Sequence, residues 1–231
     1  MAKKELMQTL NITRDMVLLD LYHKNLVFYF SPSSTYLNAI STSIVLTLYL
    51  NKKISIDSES KEIKIIDDSS IRSYNKAMLD YIKDYHITKL NDLADKLFLD
   101  SDFTIDLFEK VIEELEAEGV VKVTSQKKLV LYKNTVELVN REDVKQAYDG
   151  LYQSLFNEGD KTEFVALALL IDSFFNIDQY FDKESHETIK EKMDSLKVKD
   201  DSLYEDIQIF RNVIEDFYYL SATNTTNFFG Q

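Results

Sequence analysis

The residues Phe164 to Ile171, Phe-Val-Ala-Leu-Ala-Leu-Leu-Ile, form the longest unbroken apolar run in the chain. Eight residues fall far short of the ~20 that cross a bilayer, so this run has to be covered by protein. Asp160 and Glu163 have the spacing of a capping box, and Phe174 and Phe175 prolong the apolar segment. A helix over about 161–175 is predicted. Being apolar nearly all round, it needs neighbours on every side, and it is expected to form the centre of a helix bundle.

The rest of the chain supplies those neighbours. It has 231 residues, of which 45% are apolar, with one Pro and four Gly. Few breakers and few tight turns favour long helices over a many-stranded sandwich. Helical spacing predicts helices over about 36–50, 71–85, 89–99, 104–118, 141–156, 178–197 and 201–221. Thr104 and Asn140 are the expected starts of two of them, and Gly119 is the expected stop of the one that Thr104 begins. Leu26 to Phe30 reads as a small strand, and Ile54–Ile56 with Ile63–Ile65 as a hairpin. Val120–Val123 and Leu129–Tyr132, joined by the polar Ser125–Lys128, read as a second, protruding hairpin over about 120–133. The reading is a mainly α, single helical domain over 13–221, with a flexible segment at 1–12 and a frayed tail at 222–231.

Chemistry is thin. The chain has no Cys, which removes disulfides, thiolate metal sites and a thiol nucleophile. His23, His86 and His186 fall on different elements, and the i, i+4 pair Asp182/His186 reads as a surface ion pair before it reads as a metal site. Phosphate loops, nucleophile elbows and zinc-helix motifs are missing from the sequence. No catalytic residue, metal or cofactor is assigned, and the chain is expected not to be an enzyme.

Three helices followed by a hairpin at 71–133 have the outline of a winged helix, which would place its third helix in a DNA groove. That helix sets six acids (Asp106, Glu109, Glu113, Glu114, Glu116 and Glu118) against Lys110 alone. Phosphate binding needs the opposite sign, so nucleic acid is not an expected partner. The whole chain carries −13, a field that repels anionic surfaces unless a local basic patch overrides it. Basic doublets occur at Lys3-Lys4, Lys52-Lys53 and Lys127-Lys128. Lysines at hairpin turns are their plainest reading. Lys52, Lys53, Lys127 and Lys128 are also the candidate contacts to an anionic surface, each contributing about 1 kcal/mol at best.

Several landmarks in order resemble the Golgi phosphoprotein 3 family. They are Met16-Val-Leu-Leu-Asp-Leu21, Leu46 to Ile56 with its basic turn, Ile63 to Asp67, Ala77-Met-Leu79, Leu115 to Val121 leading into a hairpin, and the apolar helix from Glu163. The resemblance spans about 13–220 and implies a central helix bundle with a protruding hairpin. In eukaryotic members it also implies peripheral attachment to membranes through phosphatidylinositol 4-phosphate and capture of cytosolic tails of membrane enzymes. The family's phosphate pocket uses a Trp and several Arg; the matching positions here fall at or near Pro32, Ser41, Ile105 and Phe108. None of these can hold a phosphate, so no binding residue is carried over.

The expectation is therefore a divergent, bacterial-type member of that family. It would be a non-enzymatic, cytoplasmic adaptor, peripheral at the membrane, with anionic lipid head groups or a protein as partner. The alternatives are a scaffold that forms homo-oligomers through the hairpin, and a winged-helix-like regulator.

Overall fold

A computed structural model describes residues 11–23, 26–29, 31–69, 72–128, 131–156, 162–175, 177–195 and 204–227. The order is α1 (Ile12–His23), β1 (Leu26–Phe28), α2 (Ser34–Leu50), β2 (Ile54–Ile56), β3 (Ile63–Ile65), α3 (Ser73–Asp84), α4 (Leu90–Leu99) and α5 (Ser101–Ala117). Then follow β4 (Val121–Lys128), β5 (Leu131–Leu138), α6 (Glu142–Phe156), α7 (Thr162–Phe175), a 3-10 turn (Ile177–Tyr180), α8 (His186–Ser195) and α9 (Tyr204–Asn227). The protein is mainly α-helical, as its apolar spacing requires.

α7 is buried from Val165 to Ile171, packed against α9, α2, α6 and α1. α2 is enclosed more completely. Every residue from Tyr36 to Leu48 is buried, and the helix touches α9, α1, α5, α7 and α3. Its start is set by Ser33, whose extended backbone lets its Oγ accept from the Tyr36 N–H at 3.2 Å. Its end closes without glycine. Lys52 takes φ +56°, and Lys53 N–H reaches back to the Leu48 carbonyl at 2.9 Å. A left-handed lysine costs about 1–2 kcal/mol, offset by satisfying carbonyls that the last turn leaves open.

The C-terminal α9 ties distant parts together. Ile207, Phe210, Val213 and Phe217 enter the core. Asp206 accepts from the Tyr49 hydroxyl at 2.6 Å, Lys61 Nζ lies 2.7 Å from Asp216 Oδ1, and Asn212 donates to the Ser58 carbonyl at 2.8 Å. α2 and the β2–β3 hairpin are thereby fastened to the end of the chain.

Four expectations change. The helix predicted at 178–197 breaks, because Asp182 Oδ1 accepts from both the N–H and the hydroxyl of Ser185 and so starts α8 afresh. The ion pair of His186 is with Asp178, 3.8 Å from its Nδ1, while Asp182 caps the turn and acts on His186 only through its charge. α5 starts at Ser101 on an Asp100 cap to Phe103 N–H at 3.1 Å, while Thr104 sits inside it, its hydroxyl bonded to the Ser101 carbonyl. The last helix continues past 221 to Asn227. Gly119 does end α5, at φ +78°, and Asn140 accepts from Glu142 N–H at the start of α6. Asp160, the expected cap of α7, lies outside the described residues.

Candidate functional site

β4 and β5 pair antiparallel over their full length, from Val121 opposite Leu138 to Lys128 opposite Leu131. The expected turn at Ser125–Lys128 is therefore strand, and the expected strand residues Leu129 and Val130 lie outside the described residues. The shift has a physical reason. Val123 meets Val136, and Val121 and Val136 are buried, so the apolar pairs fix the register at the base and carry the polar residues outward along it. β1 joins the other side of β5 over Leu26↔Val136 to Phe28↔Asn134 only. The sheet is β1-β5-β4, with its base on the bundle and its far half extending beyond β1.

That register collects lysines that sequence spacing did not group. Lys122 opposite Glu137 and Lys133 opposite Gln126 share one side of the ladder, and Lys127 and Lys128 follow on β4. Four lysines against Glu137 give the hairpin a charge of +3, leaving −16 on the remainder of the chain. Lys122 and Lys127 are exposed. The signal that could have found them was the lysine content of the whole 121–138 segment, taken together rather than as doublets.

The second doublet lies elsewhere. Lys52 and Lys53 follow the C-terminal end of α2, a helix of 17 residues and so about 25 Å long, whose other end follows β1. Lys52 is exposed. Lys53 is engaged: its ammonium contacts Asp67 Oδ2 and Ser69 Oγ, at 3.0 Å for the latter, and this holds the Asp67 carboxyl well below the usual carboxylate range. The two doublets thus belong to separate hairpins, and only one of them sits on a basic element.

The positions at which the expected resemblance would put a phosphate pocket are buried or partly buried. Ser41 and Phe108 are buried, Pro32 is buried, and Ile105 packs on the core. Phe108 sits edge-on to Phe28 and Tyr36, at 5.5 and 6.0 Å between centroids. Phe108 thus fills space between β1, α2 and α5.

The acidic α5 also has structural work. Arg72 Nη1 lies 2.8 Å from Glu118 and 3.2 Å from Glu114; Arg14 Nε lies 3.6 Å from Glu118; Glu116 accepts from Val123 N–H at 2.9 Å. These contacts hold the starts of α1, α3 and β4 against the end of α5. Among the described residues, no group of three or more His, Cys, Asp or Glu could hold a metal ion, and no helix is long and apolar enough to cross a membrane.

Fold and surface together define a helix-bundle protein with one basic β-hairpin on an acidic body. No known family model matches the chain, and no curated protein matches it.

Proposed function

We propose that this protein is a non-enzymatic, adaptor-type binding protein that docks transiently on an anionic lipid surface through the β4–β5 hairpin. The observation that supports it is the +3 hairpin standing on a body of −16. Such a charge separation orients the molecule, because the hairpin is drawn to an anionic surface while the body is held off it. Four lysines near such a surface contribute about 4 kcal/mol before the repulsion of the body is counted. Attachment of that strength is reversible and salt-sensitive. This reading keeps the adaptor role that the resemblance to the Golgi phosphoprotein 3 family implies, and a cytoplasmic site of action, but not the family's phosphoinositide pocket.

The test is sedimentation of the full chain with vesicles of phosphatidylcholine alone or mixed with phosphatidylserine, at low and near-physiological salt. Binding only to the anionic vesicles, reduced by salt and abolished by replacing Lys122, Lys127, Lys128 and Lys133 with Gln, is the expected result. Equal behaviour of the two vesicle types would refute the proposal. A second reading, a scaffold that oligomerises through the same hairpin, draws on β4 having a ladder partner on one side only among the described residues. Light scattering of the same two proteins separates the readings. A mass above the monomer that falls in the Gln variant favours the scaffold.

A further inference from the structure

A row of aromatic rings on α6 and its neighbours has no part in the hairpin reading. Tyr148, Tyr152 and Phe156 recur every fourth residue of α6 and therefore share a face. Phe181 lies 5.8, 6.4 and 5.7 Å from them in turn, centroid to centroid, and Tyr22 of α1 lies 6.4 Å from Tyr148. Five rings thus form one continuous ridge. α6 fills the core with Val144, Ala147, Leu151 and Leu155, so the ridge is the margin of that face and reaches solvent. Tyr22 is 37% and Tyr152 45% exposed; Tyr148, Phe156 and Phe181 are half-buried.

Two observations say what would fit it. The guanidinium of Arg141 already stands 5.4 Å from the centroid of Tyr22, at one end of the ridge, so the ring faces accept a cation in the folded protein. Beyond Tyr22 the charge is acidic. Asp149 and Asp182 both act on the Tyr148 hydroxyl, and across α6 and residues 177–184 six acids outnumber Arg141, Lys145 and Lys183. Tyrosine faces bordered by carboxylates favour a partner that brings a planar cation together with apolar surface.

We propose that the Tyr22–Tyr148–Tyr152–Phe156–Phe181 ridge is a docking face for an arginine-bearing, amphipathic protein segment. The partner's guanidinium groups lie on Tyr148 and Tyr152, opposite Asp149 and Asp182, and its apolar side chains cover Phe156 and Phe181. The site is separate from the hairpin, and either can hold without the other.

The test is a fluorescence-anisotropy titration of the full chain with a labelled amphipathic peptide of Leu and Arg. The same peptide with Glu in place of Arg, and one with Lys in place of Arg, are the comparisons. Saturable binding of the Arg peptide, weaker binding of the Lys peptide and none of the Glu peptide are expected. Tyr152→Ala and Asp149→Asn should each weaken the Arg peptide about tenfold, the scale of one interface anchor. Both positions are exposed, so each variant should melt at the wild-type temperature. Unchanged affinity in both variants would show that the peptide merely collects on the acidic surface, and would overturn the proposal. So would equal binding of the Arg and Lys peptides, or binding of phosphatidylcholine vesicles that Tyr152→Ala abolishes while the peptide stays unbound.

Discussion

α7 and α2 are both buried by the bundle, but they are built on opposite plans. α7 is apolar on every side from Phe164 to Ile171, and its burial needs only neighbours. α2 buries Asn38, Ser41, Thr42, Ser43 and Thr47 along with its apolar residues. Thr42 and Ser43 return their hydroxyls to the Asn38 and Ile40 carbonyls, at 2.7 and 2.6 Å. Ser43 Oγ also lies 3.1 Å from Thr13 Oγ1, which in turn lies 3.3 Å from Thr47 Oγ1. A line of small hydroxyls therefore joins α1 to α2 at close range, where larger apolar side chains would hold the helices apart. The cost is visible too. Among the described residues, the Ser41 and Tyr36 hydroxyls find no hydrogen-bond partner, and each such buried group costs about 1–3 kcal/mol. Depth of burial and apolarity are separate properties, and the deeper helix is the less apolar one.

The strongest way to break the comparison is to truncate each helix at a fully buried position. Ile44→Ala in α2 and Leu170→Ala in α7 should each cost about 2–5 kcal/mol in denaturant unfolding. If α7 alone organised the core, the α2 change would fall well below that range. A smaller effect tests how α7 is seated. A Cβ on Gly150 would stand 2.0–2.5 Å from the Phe164 ring, so Gly150→Ala drives that ring from its place between α6 and α7. A loss of about 1–3 kcal/mol is expected, in the range of overpacking, and Phe164→Leu in the same chain should recover part of it.

The same contrast explains what the sequence made legible. The run at Phe164–Ile171 declared its burial, because eight apolar residues have no other stable place in a folded chain. α2 looked like an ordinary one-sided helix, since Ser and Thr count as polar in any periodicity while their hydroxyls can be satisfied within their own turn. The hairpin was visible from Val120–Val123, but its register depends on Val136 meeting Val123 and Leu26 across space, which local spacing does not contain. The same applies to the lysines it groups. The aromatic ridge was half legible: Tyr148, Tyr152 and Phe156 follow helical spacing, whereas Tyr22 and Phe181 join them only through folding. Arg72 with Glu114 and Glu118 is separated by more than forty positions and left no local mark.

The hydroxyl line offers a sharper test. Thr13→Val keeps the shape but removes the hydroxyl that Ser43 and Thr47 both approach, and should cost about 1–2 kcal/mol, the range for one buried hydrogen-bond partner lost. Adding Ser43→Ala removes the same contact from its other side, so the double variant should cost less than the sum of the two single ones. Additive losses in that cycle would mean that the two hydroxyls act independently and that the line is no unit.

The smallest effect concerns Asp15, one turn into α1 and beside the start of α7. Burial pushes its carboxyl up from the ordinary 3.8 to about 6, against the opposing pull of Arg14 and Arg72 and with Glu163 of α7 adding to the rise. Arg14 also reaches Asp15 Oδ1 at 3.3 Å, and 26% of the side chain meets solvent, so screening limits the energy involved. Folded protein then holds more protons at this site than unfolded protein between pH 3.8 and about 6. Asp15 therefore lowers stability as pH rises through that window. Asp15→Asn should leave the melting temperature nearly unchanged at pH 4 and raise it near pH 7 by about 2–4 °C, the shift that roughly 1 kcal/mol gives a chain of this size. Thermal melts of both proteins from pH 4 to 8 measure it. A constant offset at every pH would assign the effect to packing at the start of α1 rather than to ionisation, and no change at all would mean that Arg14 and Arg72 fully compensate the burial.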